Sequence, residues 1–217
     1  MSLRLHRHGR FRAWLGSGLG GDGTLGDRAW RRILHSLGAV VLVYYLLPVN
    51  FFVIAPKYVV LLAALGVMLV LEVLRHTVGL QLPTIRGYET RRVASFVFYS
   101  VALVLAVLLF PLPIAAAIVL GTALVDPVAG ELRSEGAGRL VSAVIPLGAY
   151  GGLAWVGMVA IGGWPAGTSA LLAAGAALLA VAAERPKWPW ADDDLVMTVV
   201  PGVFLYLVGV VALGLAH

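Results

Sequence analysis

"PLPIAAAIVLGTALVDPVAGELR", residues 111–133, reads as an apolar helix that runs into a carboxylate at Asp126 and then into a glycine, a second acid and an arginine. From Pro113 to Asp126 is 13 residues, roughly 20 Å of helix at 1.5 Å per residue. A hydrocarbon core is about 30 Å thick, so Asp126 is expected deep in a membrane span but near one end of it. If the helix continues, Ala129 and Gly130 lie at i+3 and i+4 and Arg133 at i+7, all on the aspartate's face. That order of groups suits a nucleotide phosphate: a carboxylate to hold Mg²⁺, small residues that permit close approach, and an arginine to neutralise phosphate oxygens. The plainer alternative is a pair of Asp126 with Arg133 or Arg139 closing a helix end. Ionisable groups in spans are costly to keep, which favours function.

The rest of the chain agrees with a membrane setting. Of 217 residues, 60% are hydrophobic and only 12% charged, and the mean hydropathy is +0.94. This composition points to an all-α integral membrane protein. Cysteine is absent, which excludes disulfides, thiolate metal sites and a cysteine nucleophile. The opening "MSLRLHRHGRFRAW" is basic but has no apolar h-region or small-residue cleavage site, so it is expected to stay in the mature protein and face anionic lipid. Residues 1–31 are thus expected as a basic cytoplasmic extension and 32–217 as one polytopic membrane domain. Apolar runs over 33–54, 57–75, 92–110, 112–129, 139–161, 167–184 and 195–215 predict about seven spans, the first interrupted at Pro48.

Charge orients them. With the N-terminus inside, every arginine and Lys187 falls on the inner side and only Lys57 outside, as the positive-inside rule requires. The acids add something this rule does not demand: all of them, from Asp22 to Asp194, fall on the same inner side. Polar chemistry is therefore expected at the cytoplasmic face, and the outer turns "FPLP" and "GGWPAG" read as connectors.

Four further clusters share that face. "AAERPKWPWADDDLV" places Glu184 at the end of the sixth span and Asp192, Asp193 and Asp194 at the start of the seventh. One aspartate satisfies a helix N-cap, and three exceed that need. Adjacent carboxylates repel unless a metal or base compensates, so one of them is a candidate ligand or base. "RRILHSLG" puts His35 one turn after Arg31, either as a titratable base or as a hydrogen-bonded helix-end histidine. Glu72 and Arg75, then Glu89 and Arg92, repeat an i,i+3 acid–arginine spacing, each readable as a surface pair worth little; Glu72, however, lies inside an apolar span. The G-x-G-x-x-G match at Gly16, Gly18 and Gly21 follows no strand and reads as a linker before a Thr24/Asp27 capping box. Gly148 and Gly152, in G-x-x-x-G spacing, read as close helix packing.

In order, these clusters resemble the polyprenol kinase family, which includes dolichol and phytol kinases, over roughly residues 30 to 205. The carriers are "RRILHSLG", "LEVLR" with "RGYETRR", "ALVDPVAGELR", and a late glutamate followed by "DDDL". The chain departs from the family pattern after the aspartate motif, where a lysine is missing and Glu135, Gly136, Arg139 and Ser142 stand instead, and at Asp194, where the family tends to carry asparagine. The resemblance implies transfer of the γ-phosphoryl group of CTP to a long isoprenoid alcohol at the inner interface. Asp126 and Asp193 would hold Mg²⁺, and Asp192 or His35 would accept the hydroxyl proton. Arg133, Arg139 and Arg92 would balance phosphate charge, with Ala129, Gly130, Glu72, Glu89 and Glu184 lining the nucleotide site. The capping role would fall to Asp194.

The implied partners are the alcohol, the nucleotide and the bilayer, with no nucleic acid; self-association into a homo-oligomer is left open. A CTP-dependent cytidylyltransferase making a CDP-activated lipid is the rival enzyme. A lipid-binding or transport protein is the non-enzymatic rival, weakened because no acid or arginine lies near mid-span. The charge asymmetry predicts that, in this cysteine-free chain, Glu135→Cys reacts with an impermeant thiol reagent only after cells are opened. Lys57→Cys should react on intact cells.

Overall fold

The computed structural model describes residues 25–51, 55–80, 85, 92–183 and 192–215. Glu89 and Glu184 lie outside the described residues, as does most of the basic extension. Helix α1, Leu25–Leu37, continues without a break into a 3₁₀ segment, Gly38–Leu46. The helix starts at Leu25, ahead of the apolar run expected from residue 33 and where the Thr24/Asp27 capping-box spacing predicts a start. It also ends earlier than the expected span: Leu47 turns to extended backbone (ψ 141°) because Pro48 disfavours the helical conformation in the residue before it. A two-residue antiparallel ladder follows, Asn50–Phe51 (β1) against Ala55–Pro56 (β2).

Seven further helices follow among the described residues: α2 (Lys57–Val78), α3 (Ser95–Leu109), α4 (Leu112–Leu120), α5 (Asp126–Ser134), α6 (Val141–Val156), α7 (Ala166–Ala183) and α8 (Asp193–Leu205). Five-residue π segments extend α4 toward α5 (Gly121–Val125) and prolong α6 (Gly157–Ile161), and a seven-residue one prolongs α8 (Tyr206–Ala212). The protein is all-α in character, and among the described residues five helices are long and apolar enough to cross a membrane. These are Lys57–Val78, Leu112–Ser134, Val141–Ile161, Ala166–Ala183 and Asp193–Ala212. Arg32–Leu46 and Ser95–Leu109 are apolar but shorter.

The Leu112–Ser134 helix is the hub, with 67% of its apolar window inside the protein against 6% for Lys57–Val78. Pro113 through Val119 are all buried. The core gathers around them: Phe110, Ile114 and Ile118 with Tyr150 and Met158 of the α6 helix, Leu172 and Ala176 of α7, and Leu205 of α8. Small residues make this possible. The Tyr150 ring lies against Gly121 so closely that an added Cβ would collide with it. The expected packing role of Gly148 and Gly152 is not seen among the described residues, where a Cβ added at either would meet nothing. Gly151 is the glycine of this stretch that faces α7: a Cβ added there would stand in ordinary contact, 3.7 Å from the Ala177 side chain and 3.9 Å from the Ala173 carbonyl.

α2 is held differently. Its only buried residues are Glu72 and Arg75. The guanidinium binds the carboxylate through two hydrogen bonds of 2.7 and 2.8 Å, and donates to the Arg92 carbonyl at 2.6 Å. The Ala94 amide, at the start of α3, donates to the same carboxylate at 3.1 Å. Glu72 therefore caps a neighbouring helix as well as pairing with Arg75, a role the i,i+3 spacing alone does not reveal. Removing one member of a buried pair typically costs about 3–5 kcal/mol because the other charge is stranded. Arg75→Met should accordingly lower the melting temperature in detergent sharply, and the double variant with Glu72→Leu should recover part of the loss.

Candidate functional site

Proline sets the geometry of the central acid. Pro127 has no N–H to bond to the carbonyl four residues earlier, and a proline ring crowds that carbonyl. The chain widens into the π segment Gly121–Val125 just before it, the local adjustment expected where the helical ladder is interrupted. Asp126 sits at the junction, its amide bonded to the Thr122 carbonyl, and the helix then continues through Ser134 as the spacing predicts.

One turn from Asp126 a polar contact fixes the neighbouring helix. The hydroxyls of Thr122 and Thr198 lie 3.0 Å apart, both fully buried. Thr198 donates to the Asp194 carbonyl at 2.8 Å, so the hydrogen between the two threonines comes from Thr122. Thr122 precedes Asp126 by four residues and Thr198 follows Asp194 by four. Because the central helix runs toward this end and α8 runs away from it, the clasp sets both carboxylates at the same level.

α1 supplies the third group. His35 Nε2 lies 3.9 Å from Asp126 Oδ2 and 3.8 Å from Asp194 Oδ1. These separations exceed a direct hydrogen bond and match three donors converging on a shared guest. One ligand atom from each of His35, Asp126 and Asp194 falls within 4.8 Å of the others. Two carboxylate oxygens and an imidazole nitrogen from three helices form a donor set that fits a divalent cation. The Asp194 side chain is 12% exposed, whereas that of Asp126 is 27% exposed. The cluster is thus open on the Asp126 side. Arg32, one turn before His35, pairs with Glu131 and ties α1 to α5.

The start of α8 reverses the expected division of labour among the three aspartates. Asp192 is the N-cap, accepting from the Asp194 amide at 3.4 Å and from the Ser95 hydroxyl at 2.7 Å. Asp194, expected as the cap, faces the histidine and the central acid instead. Asp193 lies between them, and the three together form a second group of converging carboxylates. The reason is helical: a cap occupies the residue before the first turn, and two positions later the side chain already points across the helix to α1.

The other predicted residues are placed as follows. Ala129 is buried, and Gly130 stands where an added Cβ would meet nothing among the described residues, so packing does not require glycine there. Arg133 is in the last turn of α5, exposed, and Arg139 is exposed in the turn that follows. Arg92 stands beside the Glu72–Arg75 clasp through its carbonyl. Sequence reasoning missed Ser95, Tyr99, Thr122 and Thr198. A hydroxyl on an apolar helix is a weak signal unless its partner, 76 residues away for Thr122 and Thr198, is known. No protein-family model, no curated protein and no solved structure matches this chain. Fold and site together define a class: a mainly helical protein with helices of membrane-spanning length and a His–Asp–Asp cluster at one end.

The cap assignment predicts that Asp192→Ala destabilises the protein by about 0.5–2 kcal/mol and that Asp192→Asn restores it. Asp194→Asn should leave the melting temperature within the range of neutral substitutions. Thermal unfolding in detergent followed by circular dichroism checks both.

Proposed function

We propose that this protein transfers the γ-phosphoryl group of a nucleoside triphosphate, CTP by the resemblance of its motifs, to the hydroxyl of a long isoprenoid alcohol at the cytoplasmic face of a membrane. In this reading the seven apolar segments cross the bilayer with the N-terminus inside. The single observation that carries it is the convergence of His35, Asp126 and Asp194 from three helices at one end of the bundle. Phosphoryl transfer asks mainly for positioning and charge compensation, which a cluster of this composition can supply.

Asp126 and Asp194 would hold Mg²⁺, with Asp193 within reach, and the cation would offset the charge on the phosphate oxygens. The alcohol oxygen forms the new bond to γ-phosphorus, the bond from γ-phosphorus to the β,γ-bridging oxygen breaks, and the nucleoside diphosphate leaves with that oxygen. The alcohol's proton passes to His35 Nε2. Gly130 would let the phosphates approach the backbone, and Arg133 and Arg139 would neutralise them from the exposed side. Glu72 has no part in this scheme, since both its oxygens serve the Arg75 and Ala94 bonds.

Purified protein in detergent, given CTP or ATP with Mg²⁺ and a panel of phytol, geranylgeraniol and polyprenols, should yield lipid monophosphate and nucleoside diphosphate. Pyrophosphate release from CTP and a phosphatidic acid would favour the cytidylyltransferase instead. Asp126→Asn and Asp194→Asn should abolish turnover in folded protein, and His35→Gln should lower kcat by roughly 10²–10⁴-fold, the usual scale for general base catalysis. Gly130→Val should raise the KM for nucleotide without changing the melting temperature.

A further inference from the structure

His35 is useful only if its imidazole is held toward the two carboxylates. The 3₁₀ segment that follows α1 has no buried residues. Tyr99, on α3, makes two contacts with this one residue. Its hydroxyl donates to the His35 carbonyl at 2.7 Å. Its ring stacks on the imidazole with centroids 4.0 Å apart and planes inclined by 16°. Tyr99 is itself 8% exposed, so its ring is fixed by the packing of α3.

The approach depends on Gly38, three residues after His35 and at the step from α-helix to 3₁₀ helix. An added Cβ there would collide with the Tyr99 hydroxyl and ring. The hydroxyl bond engages a carbonyl at the place where the helical hydrogen-bond pattern changes, and the stack fixes the side-chain torsions that aim Nε2 at Asp126 and Asp194. The two contacts restrain different parts of the histidine, backbone and ring.

We infer that Tyr99 is a positioning residue for His35, with Gly38 as the space that admits it. Tyr99 touches no reacting atom in this scheme; it sets where the imidazole stands. The kinetic consequence rests on the phosphotransfer reading, whereas the spectroscopic consequence does not.

The test uses the full chain in detergent micelles with ¹³C,¹⁵N-labelled histidine, the His35 ring signals being assigned by their loss in His35→Gln. Stacking beneath Tyr99 should shift the His35 ring protons upfield. Tyr99→Phe keeps the stack and should keep that shift, while Tyr99→Leu and Gly38→Ala should abolish it at unchanged circular dichroism. In the turnover assay Gly38→Ala should lower kcat roughly 10²-fold, the scale for a misplacement of about 1 Å, with the KM for nucleotide unchanged. Tyr99→Phe should retain more activity than Tyr99→Leu. Wild-type His35 ring shifts in folded Gly38→Ala or Tyr99→Leu would overturn the assignment, and if Tyr99→Leu does not fold, Gly38→Ala decides alone. Loss of the shift in those variants, with no turnover of any nucleotide and alcohol by the wild type, would sustain Tyr99 as the positioning residue and remove the phosphotransfer reading.

Discussion

The central helix, Leu112–Ser134, must be apolar and narrow for most of its length because other helices surround it, and everything at the polar end follows from how that constraint is released. Ile114, Ala115, Ala117 and Val119 have almost no surface left, and Gly121 gives up its side chain to admit the Tyr150 ring. The first ionisable group comes only after the helix has widened at Gly121–Val125. Asp126 is therefore positioned by the core above it. A carboxylate on a peripheral helix would have many rotamers and much solvent, whereas this one leaves a packed helix at a fixed point.

Around that hub the other helices are secured by polar contacts at the end where the charges lie. Two threonines join the central helix to α8, an ion pair joins it to α1, and a carboxylate on α2 caps α3. The C-terminal half of α1's 3₁₀ extension is tied in the same manner, the Tyr45 hydroxyl donating to the Phe110 carbonyl at 2.6 Å. For helices of this length and apolarity set in lipid, apolar surface would give little preference between a neighbouring helix and the bilayer, leaving directional hydrogen bonds and close packing to fix the arrangement. The same bonds bring His35, Asp126 and Asp194 together, which joins assembly of the bundle to assembly of the site.

Much of the fold was legible in the sequence. Among the described residues the apolar runs located the five helices of membrane-spanning length and the two shorter apolar ones, with ends within about five residues for all but the first, because hydropathy and helix length are local properties. Pro48 marked the break of the first run, though the helix stops sooner than its apolar composition suggests. The small residues were harder: Gly148 and Gly152 carry the motif, yet Gly151 makes the contact, since which face of α6 meets α7 is decided by the whole packing. At the site, Asp126 and His35 were legible as ionisable groups at the ends of apolar helices. The choice among Asp192, Asp193 and Asp194 was not, because it turns on a helix phase of about 100° per residue that three identical side chains do not disclose.

By itself the sequence determined that the chain is helical and apolar and that its acids stand at or near the ends of the apolar runs, because each of these follows from composition and order along the chain. Only the tertiary structure decided that Glu72 is a clasp, that Asp192 is a cap, and that Asp194 meets His35 and Asp126. Those roles depend on which helix stands beside which and on the rotation of each about its axis. Neither is a local property: both are set by contacts such as Thr122 with Thr198 and Tyr99 with His35, between residues 76 and 64 positions apart.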